Sequence, residues 1–159
     1  DRFGGHAMAA GLTLSADRLD EFRADLVAFV NERLSVEDLA ERMTVDAEIA
    51  LEDCSVPVFQ QIERLAPFGR GNPRAVLMAR GVTVDRPPGL MGRSGKHVQV
   101  PLRSPSGRVA RAVGFNLAHL ASEFHAGDAV DAVFQPRVSV WNGVRRAELH
   151  LVDLRPAEG

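Results

Sequence analysis

The chain has 159 residues, room for one ordinary domain or two small ones, and its 45% apolar and 25% charged composition is that of a folded globular protein, not a disordered one. No apolar run approaches the roughly 18 residues a spanning helix needs, and the single cysteine, Cys54, excludes an internal disulfide framework and any multi-thiolate metal site. No membrane partner and a reducing, cytoplasmic setting are therefore expected.

The net charge of -2 hides an asymmetry. Residues 1–55 carry 13 acidic and 5 basic side chains, whereas 56–159 carry 8 acidic and 14 basic. Within 64–111 there are 10 basic residues and one acid, Asp85. Such a stretch is either a polyanion-binding surface or a solvated face in which arginine replaces lysine, Lys96 being the only lysine.

Asp1-Arg2-Phe3-Gly4-Gly5-His6 has no initiating Met and no signal-peptide pattern, and reads as an internal start. A Gly-rich turn is expected first, then a short strand over 11–14. Leu19, Phe22, Leu26, Phe29 and Val30 recur at helical spacing, and Asp17 is placed to cap that helix. A helical turn is expected over 36–39 and a strand over 44–49, where apolar and polar residues alternate. Ser55 is placed to cap a helix over 56–65, with Pro57 tolerated in its first turn. Pro67-Phe68-Gly69-Arg70-Gly71-Asn72-Pro73 stops it in a rigid loop, where a domain boundary is expected.

The remainder is strand-rich. Strands are expected over 75–84, 98–102, 109–115, 129–140 and 144–154, with a Pro/Gly loop over 86–95 and a short helix over 117–124 capped by Asn116. Pro101 argues that the second of these strands is an edge or carries a bulge. Asn142-Gly143 is the strongest short hairpin signal a sequence offers. Strand, strand, strand, short helix, strand, strand is the order of an OB-fold, a five-stranded Greek-key barrel that often binds single-stranded nucleic acid. Its binding loops join strands one and two, and strands four and five. Here the first holds Arg86, Arg93 and Lys96, and the second holds Trp141, with Arg145 and Arg146 beyond it.

Gly4-Gly5-His6-Ala7-Met8-Ala9-Ala10-Gly11 is the sharpest local signal. Paired glycines let backbone N–H groups approach a ligand closely, and an imidazole can hydrogen-bond a phosphate; a glycine turn with an incidental histidine is the plain alternative. His97 either donates to a phosphate beside Lys96 or is an ordinary barrel-face residue. Phe68 and Phe115 are read as packing residues more than as base platforms, His119, His125 and His150 as surface residues, and Cys54 as a small buried or half-buried side chain.

GGHAMAAG followed by LTL, then TVDAEI, PFGRGNP, GKHVQV, GFN and LVDLRP resembles, in order and spacing, the C-terminal part of the RecJ family of single-stranded-DNA-specific exonucleases, in the DHH phosphodiesterase superfamily. The likeness spans nearly the whole chain; Ala75 stands where a second Pro is expected. It implies an α+β fragment: a partial DHH-associated α/β domain over 1–54, a linker over 55–74, and a five-stranded OB-fold barrel over 75–159 that binds single-stranded DNA. It implies 5′-to-3′ digestion driven by Mn²⁺ or Mg²⁺ held by Asp and His residues of a DHH domain N-terminal to Asp1. No metal ligand and no cofactor are then expected in this chain, which on its own is expected to be inactive.

By the same resemblance Gly4, Gly5 and His6 hold substrate phosphate, with His6 assisting the metals without ligating them. Arg70, Arg74, Arg93, Lys96, His97 and Arg103, together with Trp141, Arg145 and Arg146, are the remaining candidates for nucleic-acid contact. A single-stranded-DNA-binding protein and a helicase are the implied protein partners, in DNA repair and recombination. The alternative is a non-catalytic OB module that binds nucleic acid or recruits a partner.

Overall fold

A computed structural model describes residues 2–35, 37–39 and 43–157. It separates into two compact units, Asp1–Met43 and Thr44–Gly159, each described by itself.

The first unit opens with an antiparallel hairpin of β1 (Arg2–His6) and β2 (Ala9–Thr13). The glycine pair lies inside β1 rather than in the expected turn, which falls at Ala7-Met8. At Gly5 a Cβ would stand 3.0 Å from the Ala9 carbonyl oxygen, so this position accepts only glycine without a shift. A 3₁₀ turn, Ala16–Arg18, leads into α1 (Leu19–Asn31). Asp17 sits within that turn and does not cap the helix, whose first residue follows Arg18 with no side-chain cap bond. The expected turn over 36–39 is a 3₁₀ turn at Glu37–Leu39; Val36 lies outside the described residues. Ser35 and Asp38 close it, the Ser35 N–H and hydroxyl donating to Asp38 Oδ2 at 2.9 and 2.8 Å. That bonding holds the Asp38 carboxyl below its ordinary range.

The second unit contains β3 (Ala47–Glu48), α2 (Val56–Glu63), β4 (Leu77–Val84), β5 (Gly89–Met91), β6 (His97–Arg103), β7 (Val109–Gly114), α3 (Leu120–Glu123), β8 (Ala129–Trp141) and β9 (Val144–Pro156). The sheet runs β3-β4-β8-β9-β7-β6-β5, and β4 also pairs with β6. That extra pairing closes β4, β8, β9, β7 and β6 into a ring, with β7 and β9 parallel and the other four pairings antiparallel. The sheet thus has seven strands, not five: β3 and β5 add short edges outside the ring. β5 falls in what reads as a Pro/Gly loop, because three residues are too few to show alternation.

The core is the inward row of the ring. Val98, Val100, Leu102, Val130 and Phe134 are fully buried, and Phe59 of α2 joins them with its ring 6.5 Å from that of Phe134. Leu51 and Cys54 belong to the same cluster. Residues 44–74 therefore fold onto the barrel, whereas the sequence reading splits them between 1–54 and a linker at 55–74. An amphipathic stripe tells which side of α2 is apolar, but its partner is Phe134, 75 residues on. Ser55 does precede α2, in extended conformation, but makes no side-chain cap bond.

Two irregularities have local causes. β4 shifts register between Ala79 and Val82, where Gly81 takes φ 59° and donates its N–H to Asp131 Oδ1 at 2.8 Å; the bulge supplies the donor that this buried carboxylate needs. Pro101 lies in an inner strand, not at an edge. Its carbonyl accepts from the Asp85 N–H at 2.8 Å, so its ring nitrogen faces the same side, between the stretches paired to β5 and β4. The β7 ladder loses no donor there. Asn116 takes φ 60° and stands before the turn leading to α3 rather than capping it. Asn142 and Gly143, with φ 49° and 74°, make the expected two-residue turn between β8 and β9.

Candidate nucleic-acid interface

Residues paired across strands share a face, and alternate residues point to opposite faces. With Val98, Val100 and Leu102 turned inward, His97 and Gln99 of β6 point outward. Register carries that row across the sheet: Gln99 opposes Val113, Val113 opposes His150, and His150 opposes Gln135. Further along the β8–β9 ribbon the outward pairs are Arg137 with Glu148, Ser139 with Arg146, and Trp141 with Val144. Arg111 of β7, two residues before Val113, lies on the same row.

Trp141, Arg146, Arg111, Met91 and Glu148 line one groove of ≈ 590 Å³. Trp141 is 70% exposed and Phe115 is 52% exposed, unusual for large rings. Phe115, just past β7, stands edge-on to His97 at 5.3 Å and to His150 at 5.1 Å. The Asn116 N–H donates to His97 Nδ1 at 3.0 Å. In the neutral ring this leaves the proton on Nε2 as the one donor His97 can offer.

The sequence candidates divide by place. Arg93 and Lys96 are exposed in the loop that leaves β5 at Met91, and neither makes an ion pair among the described residues. Trp141 and Arg146 line the groove; Arg93 and Lys96 do not, although Met91, where their loop begins, does. Arg145 opposes Val140 and so points to the face away from Arg146. Arg103 is at the far end of β6 from His97, ion-paired to Asp85, and its Nε donates to Asp85 Oδ1 at 2.6 Å. Arg86 also pairs with Asp85, at 3.3 Å. Arg103 does not line the groove, and it shares the Asp85 carboxylate with Arg86.

Arg70 is exposed and Arg74 half-buried in the loop after α2, the Arg74 guanidinium lying over the Phe68 ring at 4.4 Å. Asn72 ties that loop, its side-chain amide donating to the Leu65 and Pro67 carbonyls at 2.8 and 3.0 Å. Phe68 thus supports a guanidinium. Arg137 is held below the ordinary range of arginine by burial and by the charge of Arg74, with Glu63 opposing. Gly4, Gly5 and His6 are exposed on β1 of the first unit.

Arg111, Met91, Phe115 and His150 are absent from the sequence candidates for contact. Strand alternation over 109–115 already puts Arg111, Val113 and Phe115 on one face, so that signal was available. The bridging of Phe115 to His150 depends on the parallel β7–β9 register, which no local pattern contains.

Among the described residues no three His, Cys, Asp or Glu side chains converge to hold a metal, and none of the candidate residues forms a carboxylate–imidazole set suited to Mn²⁺ or Mg²⁺. No helix among them is long and apolar enough to cross a membrane. Cys54 is buried, with Arg108 donating to its carbonyl at 2.8 Å, and burial pushes its thiol up to about 12.

The chain is 31% identical over 157 residues to the single-stranded-DNA-specific exonuclease RecJ of Bacillus subtilis, and 28% identical over 156 residues to that of Dickeya dadantii. Each alignment covers 98% of this chain but only 20% and 26% of the relative, so the chain spans about a fifth to a quarter of their length. The crystal structure of Thermus thermophilus RecJ with Mn²⁺ superposes with a TM-score of 0.71 over 99% of this chain and 22% of that one, at 22% identity, a likeness of fold. The RecJ OB domain family matches residues 45–153, which begins within one residue of the second compact unit. The closed five-strand ring and this match together place the chain in the RecJ family, with a RecJ OB domain over residues 45–153.

Proposed function

We propose that this chain is the strand-gripping part of a RecJ-type exonuclease, which holds single-stranded DNA while metal-dependent hydrolysis from the 5′ end takes place on another part of a longer polypeptide. The observation that carries the reading is the outward row of the barrel. Exposed Trp141 and Phe115 rings and the Arg111 and Arg146 guanidiniums stand on one sheet face, beside a loop bearing Arg93 and Lys96. Rings supply π-faces on which any base stacks, worth about 1–3 kcal/mol per base, and guanidiniums neutralise phosphates and release counterions. The two contributions separate experimentally, because only the second depends on salt.

In this reading the residues before Met43 are the end of a DHH-associated domain. Gly4, Gly5 and His6 offer backbone N–H groups and an imidazole to substrate phosphate, and Mn²⁺ or Mg²⁺ is held elsewhere. The chain alone binds but does not cut. Work in the cytoplasm, in DNA repair and recombination beside a single-stranded-DNA-binding protein and a helicase, belongs to the same proposal.

Trp141 is the sole tryptophan, so its emission reports the site directly. Titration with single-stranded oligonucleotide should quench it saturably, in parallel with the anisotropy of a labelled strand. A complex that forms by anisotropy while tryptophan emission stays constant removes Trp141 from the interface.

A further inference from the structure

Glu148 is out of character in a cationic groove. It stands on the outward row of β9 between Arg146 and His150, and its side chain is only 18% exposed. Its one side-chain partner among the described residues is His150, with Nε2 3.0 Å from Oε2. It makes no ion pair with Arg111 or Arg146, which share the groove, nor with Arg137, its cross-strand neighbour. The carboxylate is therefore not spent on neutralising the arginines, and it repels phosphate.

An ionised carboxylate only accepts hydrogen bonds, with about four lone-pair positions on two oxygens. His150 uses one position, donating from Nε2–H, and thereby fixes the group's orientation; the other oxygen has no partner among the described residues. Single-stranded DNA brings two kinds of base donor to such an acceptor, exocyclic amino groups and the ring N–H groups of guanine and thymine, and cytosine N4 is a partner that Glu and Asp take. Thymine has no amino group, and its one donor, N3–H, lies between two carbonyl oxygens that a carboxylate repels.

We propose that Glu148 reads bases: oriented by His150 in the groove lined by Trp141, Arg111 and Arg146, its carboxylate accepts a hydrogen bond from a base amino group and gives the chain a preference for cytosine over thymine in single-stranded DNA. The proposal rests on the reading of this face as the single-strand interface, and deepens it. Phosphates go to the arginines, ring faces to Trp141 and Phe115, and an amino edge to Glu148.

The test compares labelled oligo(dC) and oligo(dT) of equal length by anisotropy, at one salt concentration and mildly alkaline pH, on the full chain and on Glu148→Gln and Glu148→Ala. The wild-type chain should bind oligo(dC) about three- to ten-fold more tightly, the net worth of one ordinary hydrogen bond at a solvent-accessible site. Glu148→Gln is nearly isosteric, and its amide meets thymine O4 as readily as cytosine N4, so the ratio should fall to near one. Glu148→Ala should do the same. Loss of the negative charge raises affinity for both strands, so the ratio is the readout. A wild-type ratio of one overturns the proposal and leaves the interface reading standing, as does a preference that survives in Glu148→Gln. Failure of both oligonucleotides to bind overturns the two together. If Glu148→Ala does not fold, Glu148→Gln decides alone.

Discussion

The two units have similar shares of apolar residues but differ in what they bury. In 2–43 no described residue is buried: Leu19, Leu26 and Phe29, on the apolar stripe of α1, are each about half exposed. In 44–157 the corresponding stripe of α2 puts Phe59 at 0% exposure against Phe134. Both helices carry the same kind of signal, apolar residues at helical spacing. Periodicity names the face that wants cover; only tertiary context supplies the cover. By itself, residues 2–43 hold a two-stranded hairpin and a helix with little buried surface, which is marginal in water.

That contrast is sharpest in hydrogen exchange. Amides of β1, β2 and α1 should exchange at least about 10³-fold faster than those of Val98, Val100 and Leu149, because core strands open only with global unfolding while uncovered elements open locally. Comparable protection in α1 and β6 would show that the first unit is covered in solution.

Cys54 probes the same division at its border. Its thiol is pushed by burial from 9.0 to about 12, so below that pH it stays neutral in the folded chain. The thiolate fraction at mildly alkaline pH is then about a thousandfold below that of an exposed thiol, and a disulfide reagent should label Cys54 only after denaturant is added. Rapid labelling of the native chain would mean that 44–74 frays from the barrel.

Paired substitutions give a smaller effect. Phe59→Ala should cost about 3–5 kcal/mol in denaturant unfolding of the barrel. Phe29→Ala, which removes a half-exposed ring lying under Arg33 at 3.7 Å, should stay within about 0.5 kcal/mol. Equal losses at the two positions would erase the distinction between the units.

The same contrast governs what could be read from the chain alone. The five ring strands are visible because alternation is local: Val98, Val100 and Leu102 announce their face, and Asn142-Gly143 announces its turn. The start of the barrel unit at Thr44 is not visible, since Phe59 and Phe134 meet across 75 residues and Leu51 and Cys54 join them only in space. Of the proposed interface, Trp141 and Arg146 come from the hairpin reading and Arg93 and Lys96 from the loop reading, and the structure adds that Trp141 and Arg146 share one groove. The pairing of Arg103 with Asp85, just past β4, is a contact in space that no local pattern contains. Phe115, His150 and Glu148 become informative only when the β7–β9 register sets them side by side.

The central claim is that the outward row of the barrel, and not basic charge in general, grips the strand. Its most direct test is the salt dependence of binding to a labelled single strand, for wild type against Arg111→Gln, Arg146→Gln and Arg103→Gln. Each lost phosphate contact should flatten the slope of log K against log salt by about 0.7. Arg111→Gln and Arg146→Gln should each do so, while Arg103→Gln, whose charge already faces Asp85, should leave the slope as it is. A slope that flattens with Arg103→Gln and is unmoved by the other two would place the strand on a different face and contradict the account.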